Sequence, residues 1–310
     1  MTEQLSTTPV ITIADGVHLP AVGFGTYLIS DDEVSDAVTT ALDAGYRHVD
    51  TAEVYENEIG VGRAINTAFD AGLRRDELFV TTKLFPGNPA WGTPAKTYQT
   101  TVASLDASLK RLGLDHVDLY LIHAPLTPAE RVDQWRALVD LREQGKTRAI
   151  GVSNFSQVHI EELLVAGLPR PDANQIELHP WSQKQELVNY LRATSITPIA
   201  YSSLVPLSTW RSAAGHDSAK TREMQAASEA ADSPFAVMAA KYGVTEAQVL
   251  LRWGVQQGYA VLPKSINPER IRQNADLFSF ALDDEDMDAI AGMDRGAGVA
   301  WPIGDPTTFA

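Results

Sequence analysis

Residues 45–84 carry the clearest sign of the architecture, and they read GYRHVDTAEVYENEIGVGRAINTAFDAGLRRDELFVTTKL. A short apolar run, His48–Asp50, is followed by segment 58–71, where apolar residues recur at helical spacing, and then by a second apolar run, Leu78–Thr82. A strand, a helix and a strand in this order form a right-handed crossover between two parallel strands. The stretch therefore predicts one β/α unit of a parallel sheet.

The same unit recurs along the whole chain. The predicted strands are Ala21–Gly23, His48–Asp50, Leu78–Thr82, Val117–Ile122, Ala149–Val152, Ala173–Glu177, Thr197–Ala200 and Ala260–Leu262. The predicted helices lie near 31–43, 58–71, 95–112, 129–143, 156–166, 184–192, 245–257 and 268–275. Strict alternation of this kind, with no break at the midpoint, favours a closed (β/α)8 barrel, or TIM barrel, over an open doubly wound sheet. Val10–Leu19 alternates around Asp15-Gly16 and predicts an N-terminal β-hairpin before the barrel.

Two connections are longer than is usual between the elements of an α/β domain. They cover residues 85–94 and 204–232, and both follow strands, so they belong at the C-terminal mouth where barrel enzymes bind their substrates. We interpret them as covers of a substrate site rather than as tolerated surface insertions. No repeat or linker divides the sequence, which predicts a single domain over residues 1–310.

Composition narrows the classes of function. The formal net charge is −15, which argues against a basic surface for nucleic acid. Cysteine is absent, which excludes disulfides and thiolate nucleophiles, and the seven histidines show no metal-binding spacing. MTEQLSTTPV lacks the pattern of a signal peptide, and no apolar run is long enough to span a membrane. We therefore expect a cytoplasmic protein that uses no metal and contacts no membrane.

Ionisable side chains stand at the ends of successive predicted strands. Asp50, Lys83 and His123 end the second, third and fourth strands, and Tyr55 follows Asp50 by five residues. Later strand ends carry Glu177, His179 and Lys264. Because strand C-termini converge at the mouth of a barrel, Asp50 and Lys83 are expected to form a partly buried ion pair.

This set of side chains suggests chemistry on a carbonyl group. A nearby ammonium group stabilises a phenolate, so Lys83 is expected to lower the pKa of Tyr55 from its ordinary value of about 10. Tyr55 would then exchange a proton nearer neutral pH, while a neutral His123 donates a hydrogen bond to the carbonyl oxygen. Each residue alone also has a structural explanation, as an ion pair or a packing residue. Their joint placement favours the catalytic interpretation.

Two other enzyme classes compete with this interpretation. A Schiff-base barrel lyase would use Lys83 or Lys264 as a neutral amine, which an adjacent Asp50 opposes by favouring the charged form. A Rossmann dehydrogenase would need the pattern GxGxxG. The segment GFGTYL at 23–28 has the first two glycines but Leu28 in place of the third.

Six segments resemble, in order, the motifs of the aldo-keto reductase family. They are GYRHVDTAEVYENEIGVGRAI (45–65), LFVTTKLF (78–85), VDLYLIHAP (117–125), GKTRAIGVSNF (145–155), NQIELHPW (174–181) and LPKSINPERIRQN (262–274). The likeness runs from about residue 10 to the C-terminus. It implies a (β/α)8 barrel and a monomer. It also implies hydride transfer from NADPH, without metal, to a small aldehyde, ketone or α-dicarbonyl substrate.

The resemblance also implies roles for individual residues. It gives a tetrad of Asp50, Tyr55, Lys83 and His123, with Tyr55 as the proton donor. At the nicotinamide end, the implied cofactor contacts are Gly25, Thr26, Tyr27 and Asp50 beside the ribose, with Ser153, Asn154 and Gln175 at the carboxamide and Tyr201 stacked on the ring. Ser202 and Leu204 are implied near the pyrophosphate. At the adenosine end, the implied contacts are Lys264, Ser265, Asn267 and Arg270 at the 2′-phosphate, with Gln273 and Asn274 at the adenine. Two cations at a dianionic phosphate favour NADP over NAD. A reductase-like barrel that binds NADPH and reports redox state to a partner stays open, because it would keep the same residues.

Departures from the family pattern concern the substrate pocket. HWP is common after the histidine strand, but here the residues are His123-Ala124-Pro125, so a large aromatic wall is missing. Tyr27 stands where many members have Trp. Trp91 or Trp301 is expected to supply the missing surface. The predicted pocket residues are Tyr27, Phe85, Trp91, Ala124 and Trp301.

Overall fold

The computed structural model describes residues 8–207, 233–296, 298–301 and 304–309. Its strands are β1 (Val10–Ala14), β2 (Val17–Pro20), β3 (Phe24–Gly25), β4 (His48–Asp50), β5 (Phe79–Leu84), β6 (Val117–Ile122), β7 (Thr147–Ser153), β8 (Ala173–Glu177), β9 (Thr197–Tyr201) and β10 (Ala260–Val261). Its helices are α1 (Asp31–Asp43), α2 (Glu58–Asp70), α3 (Tyr98–Leu112), α4 (Arg131–Glu143), α5 (Gln157–Val165), α6 (Gln185–Ala193), α7 (Pro234–Tyr242), α8 (Glu246–Gln256), α9 (Pro268–Ala275) and α10 (Asp284–Ala291). Short 3-10 turns cover Glu53–Tyr55, Arg75–Glu77, Pro89–Trp91, Val205–Leu207 and Pro306–Thr308.

Strands β3 to β10 form a barrel of eight parallel strands, each paired with the next along the chain. The first and last strands also meet. Gly23 N–H donates to the Val261 carbonyl at 2.9 Å, and Val261 N–H donates to the Ala21 carbonyl at 2.9 Å. These bonds close the sheet on itself, so the predicted (β/α)8 barrel is confirmed.

The N-terminal hairpin, β1 and β2, covers one end of the barrel. Its turn uses Gly16 with φ +68°, a left-handed backbone that glycine adopts without strain. Hairpin side chains share one apolar cluster with residues of the barrel interior, and these are Ile13, Val17, Leu19, Phe79, Leu119 and Leu121. The predicted hairpin is therefore confirmed, and the opposite, C-terminal end of the barrel is left for the site.

Helices α1, α2 and α3 pack closely on the outside of the barrel because two glycines remove side chains from their contacts. A Cβ atom on Gly60 would lie 2.3 Å from the carbonyl oxygen of Asp31. One on Gly62 would lie 2.6 Å from the carbonyl oxygen of Leu112. Any larger residue at either position would force these helices apart.

Most element boundaries agree with the periodicity to within two residues, and the larger differences concern the first barrel strand, α3, α7 and α10. The first barrel strand lies at Phe24–Gly25 instead of Ala21–Gly23, and α3 begins at residue 98 because Thr97 caps it by accepting from Thr100 N–H at 3.3 Å. Helices α7 and α10 are additions that the sequence pattern did not predict. The first predicted loop, 85–94, contains the turn Pro89–Trp91. In the second predicted loop, 204–232, the residues from 208 onward lie outside the described part of the chain.

Candidate active site

The ends of β4, β5 and β6 bring together the four side chains that the sequence singled out. Lys83 Nζ donates to Asp50 Oδ1 at 2.5 Å and to the Thr51 carbonyl at 2.8 Å, and it lies 3.5 Å from the Tyr55 hydroxyl. The Tyr55 and His123 rings are 5.5 Å apart and meet edge to face. Lys83 itself has no exposed surface. The expected ion pair is therefore present, at the floor of the barrel mouth.

The setting of Lys83 does not suit a Schiff-base nucleophile. Burial lowers the pKa of Lys83, and Asp50 opposes that effect. An ammonium group has three N–H donors, and three protein oxygens surround this one. Because Nζ is buried and directed at these oxygens, it is not presented to a carbonyl carbon in the mouth.

The pKa of Tyr55 departs from its ordinary value in the direction opposite to the one expected. Loss of hydration raises it well above 10, and the negative charge of Asp50 acts in the same direction. The expected lowering by Lys83 is therefore wrong for the protein without a ligand. Burial is the larger cause, and Asp50, 2.5 Å from the ammonium group, also offsets the effect of that positive charge on Tyr55. Tyr55 is a phenol at neutral pH.

His123 is neutral, as expected. Burial lowers its pKa well below the ordinary value, and the charge of Lys83 lowers it further. Its Nδ1 atom is buried and has no hydrogen-bond partner among the described residues. An acceptor without a partner costs less than a buried N–H without one, so the proton is favoured on Nε2.

Asn57 holds the turn that carries Tyr55, and the sequence analysis missed it. Its Nδ2 atom donates to the carbonyl groups of Thr26 and Ile29, each at 2.9 Å, and its Oδ1 atom accepts from the Thr51 hydroxyl at 3.0 Å. These bonds tie the Glu53–Tyr55 turn to the segment after β3. No local pattern marks such a residue, because the two carbonyl groups that it binds lie 28 and 31 residues away.

Amide and hydroxyl side chains on or directly after β7, β8 and β9 form a second group beside the first. Gln175 Nε2 donates to Asp50 Oδ2 at 2.7 Å, and Ser153 donates to the Gln175 carbonyl at 2.8 Å. Asn154 Nδ2 donates to the His123 carbonyl and to Ser153 Oγ, each at 3.0 Å. The Tyr201 hydroxyl donates to Asn154 Oδ1 at 2.7 Å. The residues implied for the carboxamide and the nicotinamide ring therefore form one network that reaches Asp50.

The remaining residues implied for cofactor binding lie in segments that follow strands. Gly25, Thr26 and Tyr27 follow or end β3, Ser202 and Leu204 follow β9, Lys264, Ser265 and Asn267 lie between β10 and α9, and Arg270, Gln273 and Asn274 belong to α9. Lys264 and Arg270 are exposed on either side of the start of α9. Asn267 caps this helix by accepting from the backbone N–H groups of Glu269 and Arg270.

Ring contacts divide the predicted pocket residues into two groups. Tyr27 lies 5.0 Å from the Tyr55 ring, and Trp301 lies 6.1 Å from the His123 ring. Phe85 and Trp91 stack on each other with centroids 6.4 Å apart. Ala124 is buried next to His123. Trp301 therefore supplies an aromatic surface beside His123, whereas Trp91 extends the rim and is 51% exposed.

Two further properties of the described residues concern ligands and membranes. They contain no group of three or more His, Asp or Glu side chains placed to hold a metal ion. Within the same ranges, no helix has the length and apolar character needed to cross a membrane.

Comparison with known proteins places this geometry in a family. The model of the Aldo/keto reductase family matches residues 21–295. An aldo-keto reductase of Mycobacterium bovis is 41% identical over 304 residues, covering 97% of this chain and 96% of its own. A morphine 6-dehydrogenase of Pseudomonas putida is 38% identical, with coverage of 93% and 92%. The crystal structure of a Bombyx mori aldo-keto reductase in complex with NADP superposes with a TM-score of 0.83, at 36% identity and 96% coverage of both chains.

The match covers nearly the whole chain and includes the segments that contain Asp50, Tyr55, Lys83 and His123. The protein belongs to the aldo/keto reductase family.

Proposed function

We propose that this protein reduces aldehydes and ketones to alcohols with NADPH, with Tyr55 as the proton donor. The observation that carries the proposal is the Lys83 ammonium group, fixed by Asp50 and 3.5 Å from the Tyr55 hydroxyl at the open end of the barrel. The solved relative from Bombyx mori was crystallised with NADP, which supports the choice of cofactor.

Each side chain of the site has a separate role in the reduction of the carbonyl group. When bound, NADPH would supply the hydride that reduces the carbonyl carbon. Tyr55 donates its proton to the carbonyl oxygen, which completes the alcohol, and its raised pKa keeps that proton in place at neutral pH. Lys83 Nζ, 3.5 Å from the Tyr55 hydroxyl, donates a hydrogen bond to the phenolate oxygen that forms. His123 donates a hydrogen bond that orients the carbonyl oxygen.

The residues present fit a phosphorylated dinucleotide. Ser153, Asn154 and Gln175 offer both donors and acceptors, which suits a carboxamide. Lys264 precedes α9 and Arg270 lies in its first turn, where the positive end of the helix also attracts anions. We propose that this pair binds the 2′-phosphate and gives a preference for NADPH.

The rim favours neutral substrates with an apolar body. Its surfaces are aromatic, from Tyr27, the stacked pair of Phe85 and Trp91, and Trp301. Lys96 near this rim is paired with Glu53. We propose aryl and alkyl aldehydes, ketones and α-dicarbonyls as the substrate class.

The test is steady-state oxidation of NADPH by the purified protein with a panel of such carbonyls, repeated with NADH. We expect turnover with NADPH and a much higher KM for NADH. Replacing Lys264 and Arg270 together by Ala should raise the KM for NADPH about 10- to 100-fold, as loss of charge-assisted bonds does, and should leave the KM for NADH nearly unchanged. An equal effect on both cofactors would show that the pair does not read the 2′-phosphate. Tight NADPH binding without turnover on any carbonyl would favour the redox-sensing alternative.

A further inference from the structure

Glu177, at the end of β8, has no role in the proposed proton and hydride transfer, yet it is one of the most buried charges near the site. The residue is 1% exposed. Its Oε1 atom accepts from the backbone N–H of Val299 at 2.7 Å, and Oε2 accepts from the N–H of Ala300 at 2.8 Å. His179 Nε2 lies 2.9 Å from Oε1. A carboxylate that binds two consecutive N–H groups fixes that backbone segment in position and orientation.

The charge state of Glu177 agrees with this function. Burial raises its pKa, but the hydrogen bonds from His179, Val299 and Ala300 outweigh burial and leave the pKa below its ordinary value. The side chain is therefore a carboxylate at neutral pH and acts as an acceptor toward all three groups.

The chain segment bound by Glu177, residues Gly298–Trp301, packs tightly against the carboxylate. A Cβ atom on Gly298 would lie 2.4 Å from Glu177 Oε2. The Gly298 N–H donates to Asp305 Oδ2 at 2.7 Å, and Asp305 pairs with Lys184 on the other side. The segment is thus held from both sides, by two buried carboxylates.

Trp301, the last residue of this segment, reaches into the network beside the tetrad. Its indole Nε1–H donates to the Tyr201 hydroxyl oxygen at 3.0 Å. An indole nitrogen is only a donor, so the Tyr201 hydroxyl must direct its own proton elsewhere, and it donates to Asn154 Oδ1 at 2.7 Å. That bond in turn fixes the Asn154 amide with Nδ2 toward the His123 carbonyl.

We propose that Glu177 is a positioning residue for nicotinamide binding, acting through Trp301, Tyr201 and Asn154. Glu177 holds the segment Gly298–Trp301, Trp301 sets the direction of the Tyr201 hydroxyl, and Tyr201 sets the orientation of the Asn154 amide. An amide oxygen has two acceptor sites, so Asn154 Oδ1 keeps one for a carboxamide N–H. The inference rests on the proposed function, because it assumes a nicotinamide cofactor at Asn154.

The test combines amide hydrogen exchange with NADPH affinity, measured on the full-length protein. Glu177→Gln replaces one acceptor oxygen by an N–H donor that faces a backbone N–H. We expect exchange at Val299 and Ala300 in the cofactor-free protein to accelerate at least tenfold and the Kd for NADPH to rise about tenfold. Trp301→Phe keeps an aromatic ring and removes the indole N–H. It should raise the Kd by a similar factor without accelerating exchange at Val299.

Two further variants keep the test decisive. Gly298→Ala pushes on the carboxylate from the other side, so it should reproduce the faster exchange and the weaker NADPH binding even if Glu177→Gln folds poorly. Glu162→Gln is the matched control, because it removes a carboxylate that pairs with Arg131 on the outer helices and should change neither measurement.

The outcomes separate the inference from the proposed function. If Glu177→Gln and Gly298→Ala free the segment while the Kd for NADPH stays within twofold of wild type, Glu177 has only a structural role and the inference is wrong. Unchanged exchange at Val299 and Ala300 would also overturn it. A wild-type protein that binds no NADPH would overturn the proposed function, and the inference with it.

Discussion

Two buried carboxylates with cationic partners, Asp118 and Asp50, lie at opposite ends of the barrel and serve different purposes. Asp118 lies near the start of β6, where Arg75 binds Oδ2 at 2.7 Å, Arg148 binds Oδ1 at 2.9 Å and the Val80 N–H donates to Oδ2 at 2.8 Å. Asp50 lies at the end of β4 and binds Lys83 and Gln175. Both carboxylates are at most 3% exposed.

The partners explain the difference between the two ends. Around Asp118, two arginines link the carboxylate to neighbouring backbone, since Arg75 donates to the Leu78 carbonyl and Arg148 to the Gly16 carbonyl of the hairpin turn. Around Asp50, the chain of contacts passes through Lys83 to the half-buried hydroxyl of Tyr55 in the mouth. The partners of Asp118 also bind backbone carbonyl groups, so this carboxylate stabilises the fold. The partner of Asp50 also contacts an accessible hydroxyl group, so this carboxylate can contribute to catalysis.

The largest effect is expected at the mouth. Tyr55→Phe removes the proposed proton donor, so kcat for carbonyl reduction should fall about 10²- to 10⁴-fold, the usual contribution of a general acid. The midpoint of urea unfolding should change little, because the phenyl ring keeps its contacts with Tyr27 and His123. The measurement is steady-state kinetics beside an unfolding curve. Full turnover by the variant would remove Tyr55 from the mechanism.

At the opposite end the expected loss is of stability. Asp118→Asn removes the charge that two arginines share and turns one acceptor atom into a donor. Removal of one partner of a buried ion pair lowers the unfolding free energy by about 3 kcal/mol or more. Because both arginines are partly exposed, we expect a loss near the lower value, about 3 kcal/mol. Urea unfolding should report this loss, while kcat per folded molecule stays near the wild-type value. A large fall in kcat without a loss of stability would contradict the division between the two ends.

The two ends were not equally predictable from the sequence. The barrel and the meeting of Asp50 with Lys83 follow from periodicity and from residues at strand ends, because parallel strands of known order fix which ends are neighbours. The raised pKa of Tyr55 did not follow, since it depends on hydration and on how fully Asp50 compensates Lys83. The bonds from Glu177 to Val299 and Ala300 span 122 and 123 residues, and no local pattern encodes them. Helix α10 was missed because its four acidic residues dilute the apolar period.

His48 lies inside the barrel between the two carboxylates and allows a test by pH. Its Nε2 atom lies 2.9 Å from Thr81 Oγ1, and burial lowers its pKa from 6.5 to about 4, against the opposing charge of Asp50. Below pH 6.5 His48 is protonated in the unfolded chain but stays neutral in the folded chain. The unfolding free energy therefore falls as the pH drops from about 6.5 toward 4.

His48→Gln removes that linkage. Between pH 7 and pH 5, the wild type should lose about 2 kcal/mol more unfolding free energy than the variant, as the lowered pKa requires. Other buried histidines, His123 among them, titrate in both proteins and cancel in the difference. Urea unfolding at the two pH values measures it. Equal losses in both proteins would mean that His48 is hydrated or protonated in the folded state.

The smallest effect separates the two arginines at Asp118. Arg148→Ala removes one ion pair and the bond to Gly16, but Arg75 and the Val80 N–H still bind the carboxylate. Because the Arg148 side chain is 40% exposed, the loss in unfolding free energy should be about 1 kcal/mol or less. Arg75→Ala should cost more, since the Arg75 side chain is only 24% exposed and binds two carbonyl groups as well as Asp118. If Arg148→Ala lowered the unfolding free energy as much as Asp118→Asn, both arginines would be needed to stabilise the carboxylate. The Arg75 pair would then not be the main one.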